Sequence, residues 1–170
     1  ISGLVEKAQK QGAAFTALDA MKLFAIINMT ADHIGAYVFP DDMWWRAIGR
    51  ITFPVWFFLV GYSRSRELGK ALPIYAVLLM LIHPWVDQPM FPTNALLTII
   101  FCRLILNFCT DKNLLPKRIP ELTLAFVFLS IPTIALFEYG SVAFLYALIG
   151  RMVRLGEKKY LTFLCISAYA

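Results

Sequence analysis

Two titratable side chains stand next to each other in an otherwise apolar stretch, LDAMKLFAIINMTADHIGAYVF, residues 18–39: Asp32 and His33. Arg50, His83 and Arg103 lie in similarly apolar surroundings. Imidazole, carboxylate and guanidinium groups placed in such runs point to proton transfer, catalysis or buried charge pairing. Adjacent residues on a helix are about 100° apart and do not face each other, so Asp32 is not expected to orient the His33 ring. Asn28, Asp32 and Gly35 share one face, and His33 shares its own with Met29 and Tyr37. We expect Asp32 to pair with Arg50 or Arg103 and His33 to face a cavity. Arg50 has a second reading, a side chain reaching out to headgroups. His83, followed by Pro84, has one as a helix-end residue. Arg103 needs a buried anion or a water-filled cavity, and it shares an i, i+4 stripe with Asn107.

The elements that hold these residues are read from hydropathy. Of the 170 residues, 59% are hydrophobic, against about 45–50% in ordinary globular chains, and mean hydropathy is +0.67. Apolar runs recur at about the length of a membrane helix. The expected fold class is therefore all-α: a polytopic transmembrane helical bundle of six full spans plus part of a seventh. Their limits are 19–40, 47–63, 71–87, 94–110, 121–137 and 141–155, then 160–170. Residues 1–18 form a polar amphipathic segment before this 19–170 membrane domain and lack the apolar core of a signal peptide. The chain starts at Ile and ends inside an apolar run, which we read as a piece of a longer protein, truncated at its C-terminus.

Charge sets the expected orientation. Thirteen of the sixteen basic residues fall in the N-terminal segment and the even-numbered loops. These include Lys22, Arg64, Arg66, Lys70, Arg151 and Arg154. Asp41, Asp42, Asp87 and Glu138 occupy the alternate loops. The positive-inside rule then puts the N-terminus in the cytoplasm and the odd-numbered loops outside, with the chain in contact with membrane lipid. The net charge of +5 is topological on this reading, and nucleic acid is not implied as a partner. At about 1.5 Å per residue, His33 falls about 20 Å into the first span and Arg103 about 14 Å into the fourth. The cysteines, Cys102, Cys109 and Cys165, show no paired spacing, so neither a metal nor a disulfide is supported. The proline-rich link HPWVDQPMFPTN, ending at Asn94, is either a cavity wall or a connector.

The motifs LDAMKLFAIINMTADHIGAYVFP and WWRAIGRITFPVWFFLVGYSRSR resemble the TraX family of integral membrane proteins. The matching positions include Leu18, Asp19, Lys22, Ala25, Met29, Asp32, His33, Gly35, Arg46, Gly49, Arg50, Phe53, Pro54 and Gly61, and the later PTNALLTIIF places Asn94 and Thr98 in the family's fourth span. The resemblance implies an acetylase of pilin-like acceptors, within a wider group of transmembrane acyltransferases that use cytosolic acyl-CoA. It assigns the transfer to His33. On it, Asp32 and Arg103 complete the catalytic set, with Arg103 steadying the oxyanion. Lys22, Arg64, Arg66 and Lys70 would hold the anionic acyl-CoA. Asn28, Arg50, His83 and Asn94 would be structural or substrate-orienting.

Two other classes compete. A non-catalytic accessory subunit of a larger membrane complex would keep the same residues as packing pairs. A transporter or proton relay also uses intramembrane Asp, His and Arg, but no internal repeat supports it. The absence of GxxxxGK argues against an ATP-driven pump.

Overall fold

A computed structural model describes residues 15–39, 41–63, 67–86, 94–137 and 139–169. Among these the chain is helical throughout, without a strand. The helices are α1 (Ala17–Tyr37), α2 (Met43–Arg50), α3 (Thr52–Tyr62), α4 (Ala71–Ile82), α5 (Ala95–Asp111), α6 (Ile119–Phe128), α7 (Ser130–Ile134), α8 (Val142–Leu155) and α9 (Leu161–Tyr169), with a 3-10 turn at His83–Val86 after α4.

The all-α expectation stands, but the transmembrane bundle of six spans does not: among the described residues no helix is long and apolar enough to cross a membrane. Proline supplies much of the reason. A proline ring clashes with the carbonyl four residues back and offers it no N–H. Pro54 acts in this way on Arg50, and α2 ends at Arg50. Pro132 acts on Phe128, and α6 ends at Phe128. Pro84 acts on Met80, and α4 gives way to the 3-10 turn at His83. The expected spans 47–63, 71–87 and 121–137 are thereby each divided. Helix α1 keeps 21 residues, but Asn28, Thr30, Asp32 and His33 dilute its apolar content. With the spans goes the alternation of loops that placed the N-terminus in the cytoplasm.

The chain forms two compact units, Ile1–Thr52 and Phe53–Ala170. In the first, α1 starts on a capping box. Asp19 N–H donates to Thr16 Oγ1 at 3.2 Å, and Thr16 N–H donates back to Asp19 Oδ2 at 3.2 Å. Lys22 pairs with Asp19 at 3.2 Å. Asp42 caps α2 by accepting from Trp44 N–H at 3.0 Å. Phe39 stacks on Trp45 at 5.8 Å across the turn, and α2 folds back on α1.

The second unit is organised around α8. Ala143, Phe144, Ala147, Leu148 and Met152 are buried along its length. They pack with Phe57 of α3, Cys102, Leu106 and Cys109 of α5, Ile119 of α6 and Leu164 of α9. Phe126 and Phe144 rings meet at 3.9 Å, and Ser141 Oγ donates to the Phe126 carbonyl just before α8 begins. Phe53 stacks on Tyr139 at 4.2 Å. Helices α3 and α8 touch backbone to backbone. A Cβ at Gly61 would lie 1.8 Å from the Ala147 carbonyl oxygen, and one at Gly150 would lie 2.0 Å from that of Phe58. Asn94 ties α4 to α5: its amide donates to the Ala76 carbonyl at 3.0 Å, and its Oδ1 accepts from Leu97 N–H at 3.0 Å as the cap of α5. Much apolar surface stays outside. On α4 alone Ile74, Tyr75, Val77, Leu78, Leu79, Leu81 and Ile82 are exposed.

Two outcomes follow from this packing. Gly150→Ala gains about 1 kcal/mol of helix propensity but overpacks a backbone contact, which typically costs about 1–3 kcal/mol or more. We expect a net fall in the midpoint of thermal unfolding, read by circular dichroism in detergent micelles. Asp19 has its carboxyl held below the ordinary 3.8, first by the Thr16 hydroxyl, then by Lys22. A depressed folded value means the stabilisation is present above that ordinary value and disappears as pH falls through the folded one. The protection factors of first-turn amides of α1, referred to their intrinsic exchange rates at each pH, should therefore fall on acidification below about pH 4, and Thr16→Ala should reduce that pH dependence.

Candidate functional site

Three polar residues in the second half of α1 satisfy a donor inside their own helix. Asn28 Nδ2 donates to the Phe24 carbonyl at 2.8 Å, Thr30 Oγ1 to Ile26 at 2.9 Å, and His33 Nδ1 lies 2.7 Å from the Met29 carbonyl. Back-bonding to residue i−4 is how polar side chains are accommodated within an apolar helix. A carbonyl can only accept, so Nδ1 of His33 carries the proton. In the neutral ring the lone pair is then on Nε2, and the residue is on an exposed face of α1.

Asp32 lies about 100° round the helix from His33. It forms a stripe with Ala25, Asn28 and Gly35, each buried, while Asp32 itself is half-buried. This stripe faces α2. A Cβ at Gly49 would fall 2.1 Å from the Asp32 Cβ and 2.6 Å from its Oδ1, so the carboxylate sits in the space left by a missing side chain. Arg50, the last residue of α2, is exposed. No ion pair joins it to Asp32, although both belong to the same unit. The sequence-based pairing with Arg50 is replaced by a steric fit to Gly49.

In the second unit Arg103 lies on α5, half-buried. Its Nη1 donates to the Glu67 carbonyl at 2.9 Å, and its Nε is buried with no hydrogen-bond partner among the described residues. It opens onto a small, partly open recess. The walls are the end of α3 (Val60, Gly61, Ser63), one face of α5 (Arg103, Leu106, Asn107, Thr110) and Arg151 of α8. Arg151 Nη2 is 3.5 Å from Thr110 Oγ1. Arg154, one turn further along α8, donates from Nη1 to the Ser63 carbonyl. The carbonyls at the end of a helix carry partial negative charge, which Arg154 offsets here.

Of the other sequence-predicted residues, Lys22 is exposed and paired with Asp19. Lys70 is exposed just before α4. Asn94 caps α5. His83 opens the 3-10 turn. Arg64 and Arg66, and the proline link 87–93, lie outside the described residues. The structure brings Arg103 and Asn107 together with Ser63, Thr110 and Arg151, which sequence reasoning had left out of the site. The i, i+4, i+7 series Arg103, Asn107, Thr110 is the signal that extends the stripe. Arg151 had been counted only as loop charge. Cys102 and Cys109 are buried and Cys165 is exposed, all as free thiols. Among the described residues no group of three or more His, Cys, Asp or Glu is placed to hold a metal ion.

Comparison with known proteins gives two matches of different reach. A family model described as "TraX protein" matches residues 17–169. An uncharacterized protein of Rickettsia prowazekii (strain Madrid E) is 37% identical over 81 residues, which is 48% of this chain and 33% of that relative. The match therefore spans about a third of the relative's length. No solved structure matches.

The contact between Gly49 and Asp32 gives a direct test of the first unit. Gly49→Ala should destabilise by about 1–3 kcal/mol through overpacking. Asp32→Asn keeps the shape, breaks no ion pair with Arg50, and should cost less. Denaturant titrations of the two variants compare them.

Proposed function

The chain belongs to the TraX family, and from that premise we propose that it is a membrane-associated acyltransferase. It moves an acetyl or acyl group from acyl-CoA to an amine or hydroxyl of a pilin-like or other envelope acceptor at the bacterial cytoplasmic membrane. The observation that carries the chemistry is the hydrogen bond from His33 Nδ1 to the Met29 carbonyl. It sets the tautomer whose Nε2 can take a proton. In the step, Nε2 removes the proton from the acceptor as the acceptor nitrogen or oxygen attacks the thioester carbonyl. The carbon–sulfur bond then breaks, and the imidazolium returns the proton to the leaving CoA thiolate. His33 is the catalytic residue of this proposal. Asp32 acts through the packing of α1 on α2, and Asn28 through the straightness of α1. Lys22 and Lys70, with Arg64 and Arg66, are assigned to the phosphates of CoA, and Arg103 to a developing or resident anion. Arg50, His83 and Asn94 position helix ends.

Association with a membrane is supported by family membership and by the apolar side chains left exposed on α1 and α4. Those faces fit a protein partner as well. That keeps a second reading, a non-catalytic subunit of a larger membrane complex, which would need no acyl-CoA.

His33→Gln, assayed in membranes with labelled acetyl-CoA, should lower transfer by about 100-fold or more, the usual contribution of a general base. Undiminished transfer removes His33 from the mechanism. Fixed-stoichiometry co-purification with a larger complex, without CoA binding, favours the subunit.

A further inference from the structure

One end of the second unit gathers charge. Thr110, at the end of α5, lies 3.5 Å from Arg151 near the end of α8. Helix α6 runs back along α8, because Phe126 near its end meets Phe144 near the start of α8. Helix α9 does the same: the Tyr169 ring at its end lies 6.3 Å from that of Tyr146. The ends of α5 and α8 and the starts of α6 and α9 therefore share one level. The two connections there hold Lys112, Lys117, Arg118, Lys158 and Lys159, all exposed. Leu114, Leu115 and Tyr160 of the same connections pack on the common core, which holds both in place. Over residues 110–122 and 150–160 cations outnumber carboxylates by seven to three, so the excess is not cancelled locally. Residues 128–137 and 139–146, toward the other end, carry no charge.

The simplest alternative is that these cations only offset the partial negative charge of helix C-termini. That accounts for Lys112, which ends α5, and for Arg154 in the last turn of α8. It does not account for the others. Lys117 and Arg118 stand directly before α6, and Lys158 and Lys159 just before α9, where the positive end of a helix disfavours a cation. Arg118 occupies the N-cap of α6 and makes no side-chain capping bond, at a position that favours Ser, Thr, Asp or Asn. Among the described residues none of the five exposed cations forms an ion pair, and Lys159 lies over the Tyr160 ring at 5.3 Å. Four of the five are lysines, hydrated point charges without the planar fork that fixes a single phosphate or carboxylate. Spread over two connections, they suit a diffuse anionic surface. Exposed apolar side chains adjoin them, Phe108 on α5, Leu155 on α8 and Phe163 on α9. Basic residues beside apolar ones are the profile of a bilayer interface. An acidic protein surface matches the charge but not the apolar flank.

We propose that this basic end of the second unit docks on the anionic headgroups of a phospholipid bilayer, in preference to zwitterionic ones. The attraction is the summed charge of Lys112, Lys117, Arg118, Lys158 and Lys159, at about fivefold in affinity for each cation near the surface. The inference stands on the second unit alone. It goes beyond the acyl-transfer reading and holds equally for a subunit of a larger complex.

The test uses the full chain in neutral detergent micelles with equal amounts of phosphatidylglycerol and phosphatidylcholine, the retained lipids being counted by native mass spectrometry. The wild-type chain should retain phosphatidylglycerol over phosphatidylcholine by about fivefold or more. Lys112→Gln together with Lys117→Gln, and separately Lys158→Gln together with Lys159→Gln, should each bring that ratio toward parity. Circular dichroism checks that these variants keep the helical content of the wild type. Glu121→Gln, which removes an exposed carboxylate from the same end, should raise the ratio, a gain that loss of the fold does not produce. Equal retention of the two lipids by the wild-type chain overturns the proposal, as does a preference that both paired substitutions leave intact. Binding of polyglutamate without any lipid preference overturns it in favour of an acidic protein partner. The lipid ratio needs no turnover, so it is read separately from the effect of His33→Gln on acyl transfer.

Discussion

The second unit depends on the closeness of α3 to α8. Their backbones meet at Gly61 against Ala147 and at Gly150 against Phe58, at distances where no Cβ fits. Such an approach needs glycine on both helices, and a small residue at Ala147 besides. Its consequence is local and chemical. It draws the end of α3 against α8 at the level of Arg151, so that Ser63, Arg154 and Arg151 gather at one place. Helix α5, packed against α8, adds Arg103 and Thr110. The arginines are thus a product of a steric fact several residues away from them.

A second steric fact governs the first unit. Gly49 leaves room for Asp32, and the stripe from Ala25 to Gly35 lies against α2. The carboxylate is held by shape and not by Arg50. His33, one residue on and about 100° round the helix, is on an exposed face of α1, and its ring is oriented by the Met29 carbonyl and not by Asp32. Polarity within α1 is therefore inexpensive. Asn28, Thr30 and His33 each return a donor to the carbonyl one turn back, and leaving His33 exposed does not leave its tautomer undefined.

Hydropathy and backbone continuity are separate properties, and this chain shows where they part. Apolar runs of spanning length are present around residues 47–63, 71–87 and 121–137, but each is interrupted, and a proline stands four residues beyond Arg50, Met80 and Phe128. A window average counts Pro54, Pro84 and Pro132 as one residue among many. The backbone counts each as a lost hydrogen bond and a clash with a specific carbonyl. The apolar character then appears as exposed side chains on short helices, such as Ile74 to Ile82 of α4.

What the amino-acid sequence determined by itself was local. The helical class and the faces of α1 and α5 follow from residue types at fixed short spacings, because intrahelical geometry repeats every few residues. The TraX motif from Leu18 to Gly61 was legible for the same reason. Only the tertiary structure decided that Asp32 meets Gly49, that Arg103 turns to the Glu67 carbonyl, and that Arg151 leaves its apparent place among loop charges to face Thr110. These contacts join residues far apart in the chain. Their partners are chosen by how closely two helices approach, and that distance is set by packing that no spacing along one helix records.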